Sequence, residues 1–383
     1  MANKIDELSV TVIIPSRSYD FLLETCICET RKLYENVPII IILDENSNLP
    51  KIDFNNVKII TSDRKNISAK RNLGVKNCDT EYIAFLDSDA YPCKNWLENA
   101  IGFLKENPDA IKQIHKDYME AGANVVTCCS YQATIPGFMD AGYSEEEAEV
   151  LIRKSMEIAL LAREEWWQES GKEKGCEYPV IAGDIGPYGA YLADGSEYSG
   201  AYDLTKEEYK YFHSKRINIL KDAGAEIFAV ETCPKLDEAK AVAELLEELD
   251  SDFWVSFTVK TPDRISDGTP IKDVVECMNK YSHIKAIGVN CVAPEIVEDI
   301  ILNLRKESDI PICVYPNSGE VYDGINKVWN GAPDGISFAQ RAKKWQIAGA
   351  RFIGGCCRTS PDDIKEVAKL RDISTNPIII KAK

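Results

Sequence analysis

The stretch IGGCCRTSP at 353–361 sets two thiols side by side behind two glycines, at the end of an apolar run. Neighbouring side chains on a strand point to opposite faces, so such a pair is hard to bury as ordinary core. A vicinal disulfide is strained and uncommon. The remaining possibility is a soft metal held by both sulfurs, and it needs at least one more ligand. GVNC at 288–291 ends another apolar run and offers Cys291 beside Cys356 and Cys357. Three thiolates around zinc (Zn2+) leave a fourth position open, the pattern of a catalytic rather than a structural site. A zinc carrying three thiolates is a poor acid towards water but holds an incoming thiol as thiolate at neutral pH. That thiolate keeps its nucleophilicity and can take a methyl group from a sulfonium, giving a thioether.

The other cysteines need no such role. Cys26, Cys28, Cys78, Cys93, Cys176, Cys233, Cys277 and Cys313 read as small hydrophobes or surface thiols. Thirteen cysteines is an odd count, outside any short secreted framework, so free thiols are expected. A polar N-terminus, MANKIDELSV, lacks a signal-peptide pattern, and no apolar run reaches the length of a membrane span. A cytoplasmic protein without a membrane partner is expected. The net charge of −17 argues against nucleic acid as a partner, and three histidines (His115, His213, His283) are too few for an all-histidine metal site.

The elements that must carry these residues follow from the alternation of apolar runs and helical spacings. The first block, with VTVIIPS, PIIIILD, VKIITS and YIAFLDSD, reads as an open parallel α/β sheet. From about residue 107 the pattern offers seven strands: 124–129, 179–184, 227–232, 253–258, 286–291, 312–317 and 352–357. The helices between them include one opening at Ser144 with Glu147 three residues on, a capping box. Ser360-Pro361 opens the last, a cap followed by proline at the first helical position. Seven consecutive strand–helix units predict a (β/α)8 TIM barrel lacking its first strand. Glu231, Asn290, Cys291, Asn317, Cys356 and Cys357 all fall at strand C-terminal ends, which in a barrel face one mouth. Two domains are expected, 1–106 and 107–383, joined through FLKENPDAIKQIH at 103–115, which reads as one continuous amphipathic helix.

NPDAIKQIHKDYMEAGANVV, SYQATIPGF, VIAGDIGPYGAYLADGSEYSGAY, FAVETCP, GVNC and GGCCRTSP together resemble the homocysteine S-methyltransferase family over about 107–370. The resemblance implies a zinc-dependent barrel that methylates L-homocysteine to methionine, with Cys291, Cys356 and Cys357 in the zinc-ligand positions. It places Glu231 where the family receives the substrate's amino group, and Ser130 and Tyr131 in the loop lining the homocysteine pocket. Asn290, at the same mouth, is a further candidate substrate contact. Read without the resemblance, Glu231 is equally a charge favouring a helix N-terminus. No extension typical of the betaine-using branch follows the last helix, so the implied methyl donor is S-methylmethionine or S-adenosylmethionine.

The first block is similar to the N-terminal, Rossmann-like (GT-A) half of family-2 glycosyltransferases, on VTVIIPSRS, IIIILDENSN, ISAKRNLGV and EYIAFLDSDAYP, about 8–108. By that resemblance Asp87 and Asp89 would hold Mn2+ or Mg2+ on a nucleotide sugar's diphosphate, hard cations suiting carboxylates. Asp44 would contact the nucleoside, and Arg71 lies in the AxRN stretch. The half that supplies acceptor binding is absent, so a sugar-nucleotide-binding protein or an inactive hybrid are the alternatives to methyl transfer. The methyltransferase family's first strand, ending in Asp-Gly, is also missing. The two patterns meet at ENPDAI, 106–111, and YIAFLDSDA is the one segment that could slot in as barrel strand one, with Asp87 standing in.

Overall fold

The computed structural model describes residues 9–47, 54–64, 66–106, 109–323, 328–332 and 334–371. The chain divides into two compact units, Met1–Ala110 with Tyr322–Trp329, and Ile111–Val321 with Asn330–Lys383.

In the first unit, β1 (Val10–Pro15), β2 (Ile39–Asp44), β3 (Val57–Ser62) and β4 (Tyr82–Phe85) form a parallel sheet in the order β3-β2-β1-β4. The two central strands are apolar on both faces because both are covered. Val12, Ile14, Ile39 and Ile41 pack on one side with Leu23, Cys26 and Ile27, while Ile13, Ile40 and Ile42 pack on the other. The helix Phe21–Leu33 starts where Asp20 accepts the Leu23 N–H. Chain order reverses between β1 and β4, the Rossmann-like switch point.

YIAFLDSDA is not a barrel strand. Tyr82–Phe85 registers against Val10–Ile13 in this sheet, where the apolar β1 gives it a partner. The stretch 103–115 is also not one helix. Helix Trp96–Glu106 ends and a new one runs Ala110–Glu120. A turn at Asp109 separates them, so the amphipathic spacing does not carry one helix through.

The second unit is a seven-stranded parallel sheet in unbroken chain order: β5 (Val125–Thr127), β6 (Val180–Ile185), β7 (Ile227–Cys233), β8 (Phe253–Phe257), β9 (Ile284–Asn290), β10 (Ile312–Tyr315) and β11 (Ala350–Ile353). Alternate residues face opposite ways. Ile181, Ile185, Phe228, Val230, Val255, Ile287 and Val289 join the core with the helices. Val125, Val180, Ala182, Ile227, Ala229 and Trp254 line the inner face. Among the described residues no strand pairs with the outer edge of β5 or β11, so the barrel stays open. Its helical layer is joined across that break: the Tyr118 hydroxyl donates to the Thr359 carbonyl at 3.1 Å and Arg371 Nη2 to the Gly122 carbonyl at 2.7 Å. The box at Ser144–Glu147 forms as the spacing predicts, and Ser360 caps the last helix with Pro361 in its first turn, closing a box with Asp363 as well. A short antiparallel pair, Val259–Thr261 with Arg264–Ile265, follows β8. Among the described residues no helix is long and apolar enough to cross a membrane.

Candidate metal centre

β11 stops at Ile353, short of the predicted end at 357, and this resolves the problem of the adjacent thiols. Residues 354–359 are loop, closed by the Thr359 N–H donating to the Cys356 carbonyl at 3.1 Å, with Arg358 at φ +68°. Freed from strand alternation, both cysteines can face one point. Cys291 follows directly on β9 at φ +52°. The loop after β10 clamps both thiol loops. Cys291 N–H donates to Tyr315 O (3.3 Å) and Asn317 N–H to Val292 O (3.1 Å) on one side. On the other, Cys356 N–H donates to Pro316 O (2.9 Å) and Ser318 N–H to Cys357 O (3.0 Å).

The sulfurs of Cys291, Cys356 and Cys357 all lie within 4.8 Å of one another, the only group of three or more such ligands among the described residues. Cys291 Sγ is 2.6 Å from Cys356 Sγ and 3.8 Å from Cys357 Sγ. Metal–sulfur bonds of ~2.3 Å give tetrahedral edges of about 3.8 Å, matching the longer spacing; the shorter falls inside that edge. The donor set therefore fits a soft divalent cation. Contacts from Cys291 and Cys356 hold the Cys357 thiol down at about 3, while contacts with Cys291 and Cys357 push Cys356 up. Cys357 is exposed and the other two half-buried, so the centre is reached from the mouth.

Glu231 lies on the inner face near the end of β7. Burial pushes its carboxyl up to about 7; the Tyr315 hydroxyl opposes this and the Cys357 charge adds to it. Next to it, Thr232 is held at φ +60° by Asn290. Asn290 Oδ1 accepts from Thr232 N–H and Ser256 Oγ, each at 2.8 Å, and Nδ2 donates to Thr232 Oγ1 at 2.7 Å. Asn290 is fully buried, so its amide is committed inside the protein. Ser130 is fully buried too, its hydroxyl donating to the Asp184 carbonyl at 2.7 Å. Tyr131 does reach the mouth, its hydroxyl near Thr232 and the charges of Cys291 and Glu231.

Several mouth residues lay outside the sequence reading. Tyr198, half exposed, sets its hydroxyl against Cys291. Tyr315 receives Trp254 Nε1 at 2.9 Å and bonds Ser256. YPN at 315–317, at a strand end, was the available signal for the clamp.

In the first unit, Asp44 pairs with buried Lys70, and Arg71 Nη2 sits 2.8 Å from Asp87 Oδ1. Asp87 and Asp89 are exposed at the β4 end and gather no third ligand among the described residues.

Fold and centre together define an open parallel α/β barrel with three convergent thiols at its mouth. A family model described as homocysteine S-methyltransferase matches residues 78–371, and one described as glycosyl transferase family 2 matches 11–130; the two overlap over 78–130. The chain is 46% identical over 266 residues to homocysteine S-methyltransferase YbgG of Bacillus subtilis (strain 168), covering 69% of this chain and 84% of that protein. It is 44% identical over 263 residues to homocysteine S-methyltransferase of Escherichia coli (strain K12), covering 68% and 84%. The metallated homocysteine methyltransferase MmuM of Escherichia coli superposes with a TM-score of 0.62 at 41% identity, covering 71% of this chain and 88% of that one. The chain belongs to the homocysteine S-methyltransferase family.

Proposed function

We propose that this chain is a zinc-dependent enzyme that moves a methyl group from a sulfonium donor, S-methylmethionine or S-adenosylmethionine, to L-homocysteine, giving methionine. The observation that carries this reading is the meeting of Cys291, Cys356 and Cys357, from strand ends 65 residues apart, at one accessible point. These three residues would hold the ion. When bound, zinc supplies the positive charge that keeps the substrate sulfur a thiolate at neutral pH. Glu231 binds the substrate ammonium as carboxylate, fixing which way the sulfur points. Tyr131 and Tyr198 flank the thiols and border the space where the substrate sulfur would sit. Asn290, through Thr232, and Ser130, through the Asp184 carbonyl, act as positioning residues. Held in line with the donor's methyl, the sulfur attacks it. The carbon–sulfur bond of the sulfonium breaks and its electron pair leaves on the donor, now a neutral thioether.

The test is metal content and methionine formation by the purified chain. One equivalent of zinc with turnover on a sulfonium donor is the expected result, and Cys291→Ala, Cys356→Ala or Cys357→Ala should each abolish both. Turnover retained in any of the three overturns the assignment. A second activity, nucleotide-sugar binding with Mn2+ or Mg2+ at Asp89, is favoured only by the Rossmann-like strand order and the family-2 match. Calorimetry with UDP and manganese on wild type and Asp89→Ala decides it, and no heat in wild type removes it.

A further inference from the structure

The inner face of the second unit carries a charge that nothing above uses. Asp184 follows Val180 and Ala182 at spacings of two along β6, on the side facing the barrel interior. Glu231 occupies the corresponding face of β7, the adjacent strand. Asp184 is 5% exposed, and its Oδ1 is buried with no hydrogen-bond partner. Among the described residues the cation that acts on it is Arg216, yet both Nη atoms of that guanidinium bond elsewhere and its Nε, also buried, has no partner. Arg216 bonds the Gly186 carbonyl at 2.7 Å, the Tyr131 carbonyl at 3.1 Å, the Ser130 carbonyl at 3.4 Å and His213 Nδ1 at 3.0 Å. Burial and the neighbouring Glu231 charge both push the Asp184 carboxyl up, against Arg216.

A buried carboxylate without a donor, beside a second carboxylate, is costly unless a cation completes it. The missing group must be small, positive and rich in N–H or O–H donors. A metal fits poorly, because the two carboxylates gather no third ligand among the described residues. A sulfonium carries charge but no N–H to satisfy the orphaned oxygen. A primary ammonium meets every requirement: Lys-type NH3+ presents three donors, enough for Asp184 and Glu231 together.

We propose that Asp184 is a second substrate-anchoring residue, forming with Glu231 a two-carboxylate receptor for the α-ammonium of the thiol substrate. This rests on the functional reading above and adds to it the source of amino-acid selectivity. A thiol of the same length without the amine would leave the orphaned Asp184 oxygen without a donor and be rejected for that reason.

The test is calorimetric binding of L-homocysteine and of 4-mercaptobutyrate, which keeps thiol and carboxylate but lacks the amine, to the zinc-loaded full chain. Wild type should prefer homocysteine. Asp184→Asn should cut that preference about tenfold to a hundredfold, the usual worth of a charged hydrogen bond, with zinc content and 4-mercaptobutyrate affinity unchanged. Asp184→Asn should melt no lower than wild type, since the carboxyl oxygen it replaces has no hydrogen-bond partner to lose; Asp184→Ser is the second variant and should lose the same preference. An undiminished preference, or equal weakening of both thiols, overturns the role of Asp184 while leaving the enzyme reading intact. Zinc-loaded wild type that binds neither thiol overturns both.

Discussion

Thr232, in β7, and Cys291, just after β9, are non-glycine residues held in the left-handed region, a conformation that needs fixing from outside. For Thr232 the fixing is done by Asn290. Asn290→Ala removes three hydrogen bonds and strands a buried N–H, so the variant should lose about 2–4 kcal/mol in urea unfolding and raise KM for homocysteine as Glu231 loosens. An unchanged midpoint would mean that Thr232 holds its own geometry. Glu231 supplies a pH signature. An unfolded glutamate titrates near 4.3, and the folded group is pushed up to about 7. Between those values the folded state binds more protons, so the metal-free chain should lose stability as pH rises through that window, and Glu231→Gln should flatten the slope of thermal midpoint against pH. The three thiols were legible because cysteine at strand ends is a specific signal. Ser130 and Asn290 were legible as neighbours of the mouth but not as buried struts, because sequence does not say which way a polar side chain turns. Asp184 sat unnoticed inside an apolar strand run for the same reason.

One carboxylate ties the segment after β6 to the helices behind it. Glu238, fully buried in the helix Leu236–Glu248, accepts from the Tyr188 N–H at 2.6 Å, meets His213 Nε2 at 2.8 Å and bonds the Tyr202 hydroxyl. Burial holds His213 below its usual range, against the pull of Glu238, and its Nδ1 faces the Arg216 Nη2 donor at 3.0 Å. The segment so anchored carries Gly186, where a Cβ would lie 2.4 Å from the Tyr131 carbonyl, and ends near Tyr198 over the thiols. Glu238→Ala orphans three groups at once and should cost about 3–5 kcal/mol, read in denaturant melts, with turnover falling in the fraction that stays folded. A cost below 1 kcal/mol would show the segment is held by its aromatic packing instead. The helix starts at Ser144 and Ser360 were legible from their caps; those at Thr205 and Ser337, with the same three-residue spacing, were not read. Strand ends were not legible. FIGGCC reads as continuous strand, yet pairing with β10 ends at Ile353, since the thiol loop's hydrogen bonds go to the β10 loop.

The order of seven strands was legible because each apolar run is followed by a helix of crossing length, and a parallel sheet then has little freedom of arrangement. The missing eighth unit was legible as a deficit. Whether the break closes was not, since closure depends on edges meeting in space. The open edges give the molecule uneven stability that amide exchange can read. β8 lies between β7 and β9, so its amides should exchange only through global unfolding, whereas β5 and β11 each have one partner and should open first. Zinc should then act on one edge alone. Cys356 and Cys357 follow β11 and Cys291 follows β9, so a bound ion pins the β11 edge against the interior of the sheet and leaves β5 outside the staple. Binding to the folded state should slow exchange at 350–353 by at least tenfold at saturating zinc, while 125–127 stay as fast as in the metal-free chain. Equal protection of both edges would mean that the metal closes the barrel, and the two edges would have to be treated as one seam.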